Sequence, residues 1–181
     1  MAILNVRQFG DNCLTKVCKP VRVITPRIEQ LVEDMYDTMY EAGGVGLAAP
    51  QVGVLKRIVV IDVTPEPEEG EDPEGQELLR YTMINPEIIE TSGEQTGYEG
   101  CLSLVGKSGM VTRPDHVKVR FTDLDGDECE LEGEGLLARA ICHECDHLEG
   151  VLYTSKVEGK VYDNAEIARM EAEKQENGAK A

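Results

Sequence analysis

Three things are missing from this 181-residue chain, and each removes a class of function. No stretch approaches the ~20 apolar residues that span a bilayer, so no membrane segment is expected. Residues Met1 to Gly10 carry no apolar run behind a basic start, so no secretory leader is expected either. Basic charge is scarce: 18 Lys and Arg stand against 35 Asp and Glu, a formal net charge of −17. A chain this acidic has no net attraction to phosphate backbones or anionic lipid. Specific nucleic-acid binding is therefore not expected, although a local basic patch is compatible with that total. Without a leader, the six cysteines (Cys13, Cys18, Cys101, Cys129, Cys142 and Cys145) read as reduced thiols or metal ligands rather than disulfides. The expected compartment is the cytoplasm.

What is present suits one globular domain over residues 1–181, with 41% hydrophobic and 29% charged residues. Thr25-Pro26 reads as a helix N-cap followed by Pro at the first helical position. Ile28, Leu31, Val32, Met35 and Met39 then recur at helical spacing up to Gly43-Gly44, which predicts a helix over Pro26–Ala42. Strands are predicted at Arg57–Val63, Tyr81–Asn85, Glu87–Glu90, His116–Thr122 and Glu128–Leu131, the last two joined through Asp125-Gly126. The acidic, Pro/Gly-rich stretch between Thr64 and Glu77 reads as a solvated, mobile loop. A second helix is predicted over Leu136–Leu148 with Gly150 as its stop, and Asp163 with Glu166 resembles a capping box opening a third. The fold class implied is α+β: antiparallel sheets wrapped around a central helix, with a helical tail over 163–181.

The sharpest local pattern is His143-Glu144-Cys145-Asp146-His147 on that second helix, which uses two of only three histidines. Residues four apart lie about 40° apart around a helix, so both imidazoles face one side and can bind one metal. Glu144 lies about 60° from His147, within reach of a water beside that metal but poorly placed as a ligand. That is the placement of a general base beside a Lewis acid. The third histidine, His116, falls in a strand pattern and reads as a surface or structural residue. Two histidines need a third protein ligand. Tyr153 stands where a metzincin would have its third His, which argues against that class. Glu166 falls near the spacing of a thermolysin-like peptidase, and Cys101 in Glu99-Gly100-Cys101-Leu102-Ser103 offers a thiolate. Both remain open on residue chemistry alone.

Three segments together resemble the motifs of the peptide deformylases: Gly44-Val45-Gly46-Leu47-Ala48-Ala49-Pro50-Gln51, Glu99-Gly100-Cys101-Leu102-Ser103, and His143-Glu144-Cys145-Asp146-His147-Leu148-Glu149-Gly150. The resemblance runs from about Leu14 to Tyr153. It implies one divalent metal on Cys101, His143 and His147, ferrous iron in the cell, with zinc, nickel or cobalt as replacements. It implies an N-formylmethionyl nascent peptide as substrate, with formate and a free amino terminus as products. Glu144 would take a proton from water and pass it to the leaving amine. The side-chain amide of Gln51 and the backbone N–H of Leu102 would meet the oxyanion. Gly44 and Gly46 would let the backbone approach an extended peptide, and Val45, Leu136 and Ala140 are candidates for the methionine pocket. A thermolysin-like peptidase with Glu166 as ligand, or a non-catalytic metal- or peptide-binding relative, are the alternatives.

The chain departs from the family pattern at Val105, where Pro is usual, and at Cys142, where Gln is usual. Neither position carries a proposed catalytic group. Cys142 and Cys145 form a Cys-x-x-Cys near the C-terminal end of their helix, away from the N-terminal dipole that a thioredoxin-type thiolate uses. Some deformylases dock on the ribosome through a C-terminal helix. Here the tail has Arg169, Lys174 and Lys180 against Asp163, Glu166, Glu171, Glu173 and Glu176, so ribosome contact is expected to be weak or to use another face. A monomer is expected.

Overall fold

The computed structural model describes residues 2–66 and 77–178. Most of the acidic stretch between Thr64 and Glu77 therefore lies outside the described residues. The elements in chain order are α1 (Pro26–Glu41), β1 (Gly46–Ala48), β2 (Ile58–Asp62), β3 (Arg80–Ser92), β4 (Gln95–Cys101), β5 (Leu104–Arg113), β6 (His116–Thr122), β7 (Glu128–Glu134), α2 (Gly135–Leu148), β8 (Tyr162–Asp163) and α3 (Asn164–Gly178). Among the described residues no helix is long and apolar enough to cross a membrane.

Two antiparallel sheets form. One has five strands in the order β1-β2-β3-β6-β7, the other three in the order β4-β5-β8. β2 shows why the larger sheet sits at the centre. Its residues Ile58, Val59, Val60 and Ile61 are all fully buried. Alternate side chains point to opposite faces. Ile58 and Val60 join Met35, Met39 and Leu47 beneath α1. Val59 and Ile61 join Met83, Val119, Ile141 and Leu148 beneath α2. Each such side chain contributes about 1.5–3 kcal/mol when withdrawn from water.

The predicted face of α1 holds, with Val32, Met35 and Met39 buried. Thr25 stands at its N-cap position without a side-chain cap bond; its backbone oxygen accepts from Ile28 and Glu29 instead. The strands predicted on either side of Pro86 are one strand, β3. Pro has no N–H to give a ladder, and the chain absorbs it at a register shift between Ile84 and Glu87. Asn85 takes a left-handed backbone there, φ 52°, and its side chain bonds Val21 through both N–H and C=O at 2.8 Å. The β4–β5 hairpin was not expected from the sequence at all, because its glycines and polar residues hide any alternation. The third helix begins beside Asp163, but the proposed capping box does not describe its start. Asp163 pairs with Lys107 at 2.8 Å, and Glu166 with Lys160 at 3.5 Å.

Candidate metal centre

α2 is covered on most sides, burying Ala138, Ala140, Ile141, Cys142, His143, Glu144, His147 and Leu148. Its two histidines face the end of β4. His143 Nε2 lies 3.2 Å from His147 Nε2, and Cys101 Sγ lies 3.3 Å from His147 Nε2. Among the described residues this is the one group of three His, Cys, Asp or Glu donors that converge, all within 4.8 Å of one another. Tetrahedral coordination with metal–nitrogen bonds of 2.0–2.1 Å sets nitrogens about 3.3 Å apart. The donor set and its spacing fit one divalent first-row ion. Glu166 is elsewhere, on α3 with Lys160, so the peptidase-like ligand set is not assembled. Tyr153 flanks His143 with its ring stacked at 6.0 Å, and its hydroxyl donates to the Lys107 carbonyl at 3.2 Å, so it is wall rather than ligand.

The sequence reading missed the residue that orients the site. Glu99, two positions before Cys101, is buried and accepts from His143 Nδ1 at 2.7 Å. Arg113 grips both its oxygens, at 2.6 and 3.1 Å, and Arg139 adds a bond at 2.8 Å. Burial alone would raise the Glu99 pKa, but the hydrogen bonds from His143 and Arg113 outweigh it and hold the carboxyl well below the usual range. An ionised Glu99 only accepts, so His143 Nδ1 carries a proton and Nε2 is the nitrogen that would give its lone pair to a metal, once the metal has displaced any proton there. Arg113 also reaches Asp146 at 2.6 Å, so one buried cation ties the Cys-bearing hairpin to the His-bearing helix. A signal existed: an Arg inside a strand with a buried face needs a carboxylate partner.

The two imidazoles titrate in opposite directions. Burial works against a charged His143, yet hydrogen bonds with Cys101 and Glu99 push it up to about 10. Burial and the neighbouring His143 push His147 down to about 3. Glu144 is pushed up to about 7, chiefly by burial. Its Oε2 is buried without a hydrogen-bond partner, as is His147 Nδ1. An unpartnered buried carboxyl is costly in a resting fold and suits a group that must exchange a proton.

A cavity of about 280 Å³ opens beside the cluster, with Gly44, Val45, Gly46, Leu102, Leu136 and Ala140 in its lining and Cys101, His143 and Glu144 at its wall. The structure thus gathers every residue expected of the substrate pocket. It also changes the reading of two glycines. A Cβ at Gly46 would sit 2.5 Å from Glu144 Oε1, and one at Gly44 would sit 2.6 Å from Leu102 Cδ1. These glycines first make room for protein side chains. Gln51 is buried in a short 3-10 turn, with its Oε1 accepting from Ala48 N–H at 2.8 Å. Its Nε2 donates to Ser103 Oγ at 3.1 Å and toward Cys101 Sγ at 3.4 Å. The amide is thus turned toward the cluster. All six cysteines are free thiols. Burial pushes Cys145 up to about 12 and raises Cys142, so the Cys-x-x-Cys is protonated and unreactive.

Comparison with known proteins points the same way. A family model described as "Polypeptide deformylase" matches residues 3–162. The peptide deformylase of Lachnoclostridium phytofermentans is 58% identical over 163 residues, 90% of this chain and 94% of that protein. That of Agathobacter rectalis is 60% identical over 163 residues, 90% and 95% of the two. Among solved structures, a peptide deformylase from Legionella pneumophila superposes with a TM-score of 0.78 at 37% identity, covering 99% of this chain and 96% of that one. One from Synechococcus elongatus, in complex with actinonin, gives 0.78 at 40% identity and covers 88% and 83%.

Proposed function

The chain belongs to the peptide deformylase family, and from that premise we propose how its residues remove the N-formyl group from the amino terminus of nascent polypeptides. It is an amide hydrolase that releases formate, and its family are metalloenzymes. The observation that carries the residue-level account is the convergence of Cys101, His143 and His147 on one point, beside the unpartnered Glu144 carboxyl at the cavity wall. Those three side chains would hold the metal. When bound, it supplies a Lewis acid at the formyl group and lowers the pKa of water.

Every other step falls to the chain. The Val45, Leu136 and Ala140 side chains, with Gly44 and Gly46, would seat the methionine in the cavity and bring its formyl carbon to the cluster. Glu144 Oε2 would accept a proton from the attacking water and return it to the departing amine nitrogen. A pKa of about 7 suits both halves of that transfer. The developing oxyanion would be met by Leu102 N–H and by Gln51 Nε2, which already donates toward the ligand sulfur at 3.4 Å. Glu99 would hold His143 in its donating tautomer throughout.

On the family resemblance the native metal is proposed to be ferrous iron, and a donor set of one thiolate and two imidazoles also accepts zinc, nickel and cobalt as replacements. The protein is proposed to act as a monomer in the cytoplasm. Metal analysis of anaerobically purified protein, run beside formate release from a formyl-Met peptide, tests the whole reading. Stoichiometric metal with formate release supports it; metal-independent turnover, or turnover of internal peptide bonds, overturns it.

A further inference from the structure

One part of the surface reverses the charge of the rest. Residues 12–28 with 55–57 hold six of the chain's 18 basic side chains and none of its 35 acidic ones. The two stretches are joined backbone to backbone. Lys19 N–H donates to the Leu55 carbonyl at 3.1 Å, Arg57 N–H donates to the Lys19 carbonyl at 3.0 Å, and Lys19 and Lys56 form a parallel bridge. The bridge sets the Cα atoms of the two lysines beside each other. Lys19, Arg22 and Lys56 line one open groove with Pro20 and Val23. Among the described residues no carboxylate lies within 4.0 Å of Lys16, Lys19, Arg22, Arg27 or Lys56. Elsewhere most of the described cations are paired, among them Lys107, Lys118, Arg120 and Lys156, although Arg80, Arg169 and Lys174 are not. Arg57, the sixth basic residue of the region, is paired with Glu149, and Glu29 and Asp125 share a separate polar cavity with Arg22.

We propose that this groove is a docking surface for RNA phosphates. Charge complementarity selects a polyanion. The choice of RNA among polyanions rests on the deformylase reading, because nascent chains emerge from a particle whose surface is largely RNA. The contact is non-specific in sequence, since exposed Lys and Arg on a backbone position the protein without reading bases. It also leaves the catalytic cavity clear. The arm carrying Lys19 crosses the C-terminal end of α2, where Cys18 N–H meets the Leu148 carbonyl at 2.8 Å. The cavity mouth lies by Leu136, at the other end of a helix about 20 Å long. The acidic remainder of the chain keeps the affinity low and makes it strongly dependent on salt.

The test uses the full-length, metal-loaded protein and a short fluorescein-labelled single-stranded RNA, followed by anisotropy. Three phosphate contacts correspond to a log–log salt slope of about −2, a roughly tenfold loss between about 50 and about 150 mM salt. Affinity should fall in the order wild type, Lys19→Gln/Lys56→Gln, Lys19→Glu/Lys56→Glu, with the last at least tenfold weaker and its salt slope flattened. Formate release from a short formyl-Met peptide should be the same for all three, which separates this proposal from the deformylase reading. Equal RNA affinity in the three proteins, no RNA binding at low salt, or tighter binding to phosphatidylserine vesicles than to RNA would each overturn it.

Discussion

The helices α2 and α3 are nearly the same length, 14 and 15 residues, and do opposite things. α2 buries eight residues, three of them ionisable and gathered at the metal-ligand cluster or its cavity: His143, Glu144 and His147. On α3 Ile167 is buried and the residues from Glu171 to Gln175 are exposed. The contrast shows what a chemical site asks of a helix. Perturbed proton affinity, a fixed tautomer and converging donors all need water removed, and α2 obtains that from sheets on both sides. α3 leaves most of its described side chains in water. The family model matches as far as residue 162, just before α3 begins.

The sharpest way to break that comparison is to remove a ligand from one helix's site and an acid from the other helix. Cys101→Ala should abolish stoichiometric metal binding and formate release, whereas Glu166→Ala on α3 should change neither. Cobalt titration, read at the thiolate charge-transfer band, checks both. Metal loss on changing Glu166 would return the case to a peptidase-like ligand set.

Next in size is Glu144. Glu144→Gln should keep the metal and lose about 10²–10⁴-fold in turnover, the usual worth of a general acid–base group. Formate release at matched metal content measures it, and near-normal turnover would refute the assignment.

Glu99 sharpens the comparison further, because it acts on α2 from β4. Glu99→Gln should lower metal affinity about 10–100-fold by loosening the His143 tautomer. Competition with a chelator reads this directly. An unchanged affinity would leave Glu99 only a structural role.

The same helix should carry a pH signature. Glu144 is held at about 7 against 4.5 for a free side chain. A carboxyl raised in this way favours the fold while neutral. That contribution is complete below pH 4.5 and is lost as pH rises through about 7. In metal-free protein, Glu144→Gln should therefore be more stable than wild type at pH 8, by about 3 kcal/mol at most, with the gap closing below pH 4.5. Urea titration at the two pH values decides it; a gap independent of pH would mean that the ionised carboxylate is solvated.

The smallest effect belongs to the tail. A chain ending at Tyr162 should release formate from a short formyl-Met peptide at a rate within about twofold of the full chain, and both should co-sediment poorly with ribosomes at physiological salt. Tight, salt-sensitive co-sedimentation lost with the tail would show that α3 carries a contact its charge balance hides.

Much of this protein is written in local pattern. The period of Ile28, Leu31, Val32, Met35 and Met39, the spacing of His143 and His147, and the breakers at Gly43 and Gly150 each act within one or two turns of chain, so they survive without any neighbour. The motif resemblance likewise carried Cys101, Glu144 and Gln51 to one site. Only the tertiary structure decided the rest. The β4–β5 hairpin has no alternation of its own and forms because its buried face closes over α2. Pro86 reads as a strand end, yet the strand continues because Asn85 bonds Val21, 64 residues earlier in the chain. Gly46 reads as room for an extended peptide, yet it is small because Glu144 lies against it, and Glu99 takes its role from His143, 44 residues away. Sequence period records which face a residue turns inward. It does not record which partner waits there, because that partner comes from a distant segment and only burial brings the two into contact.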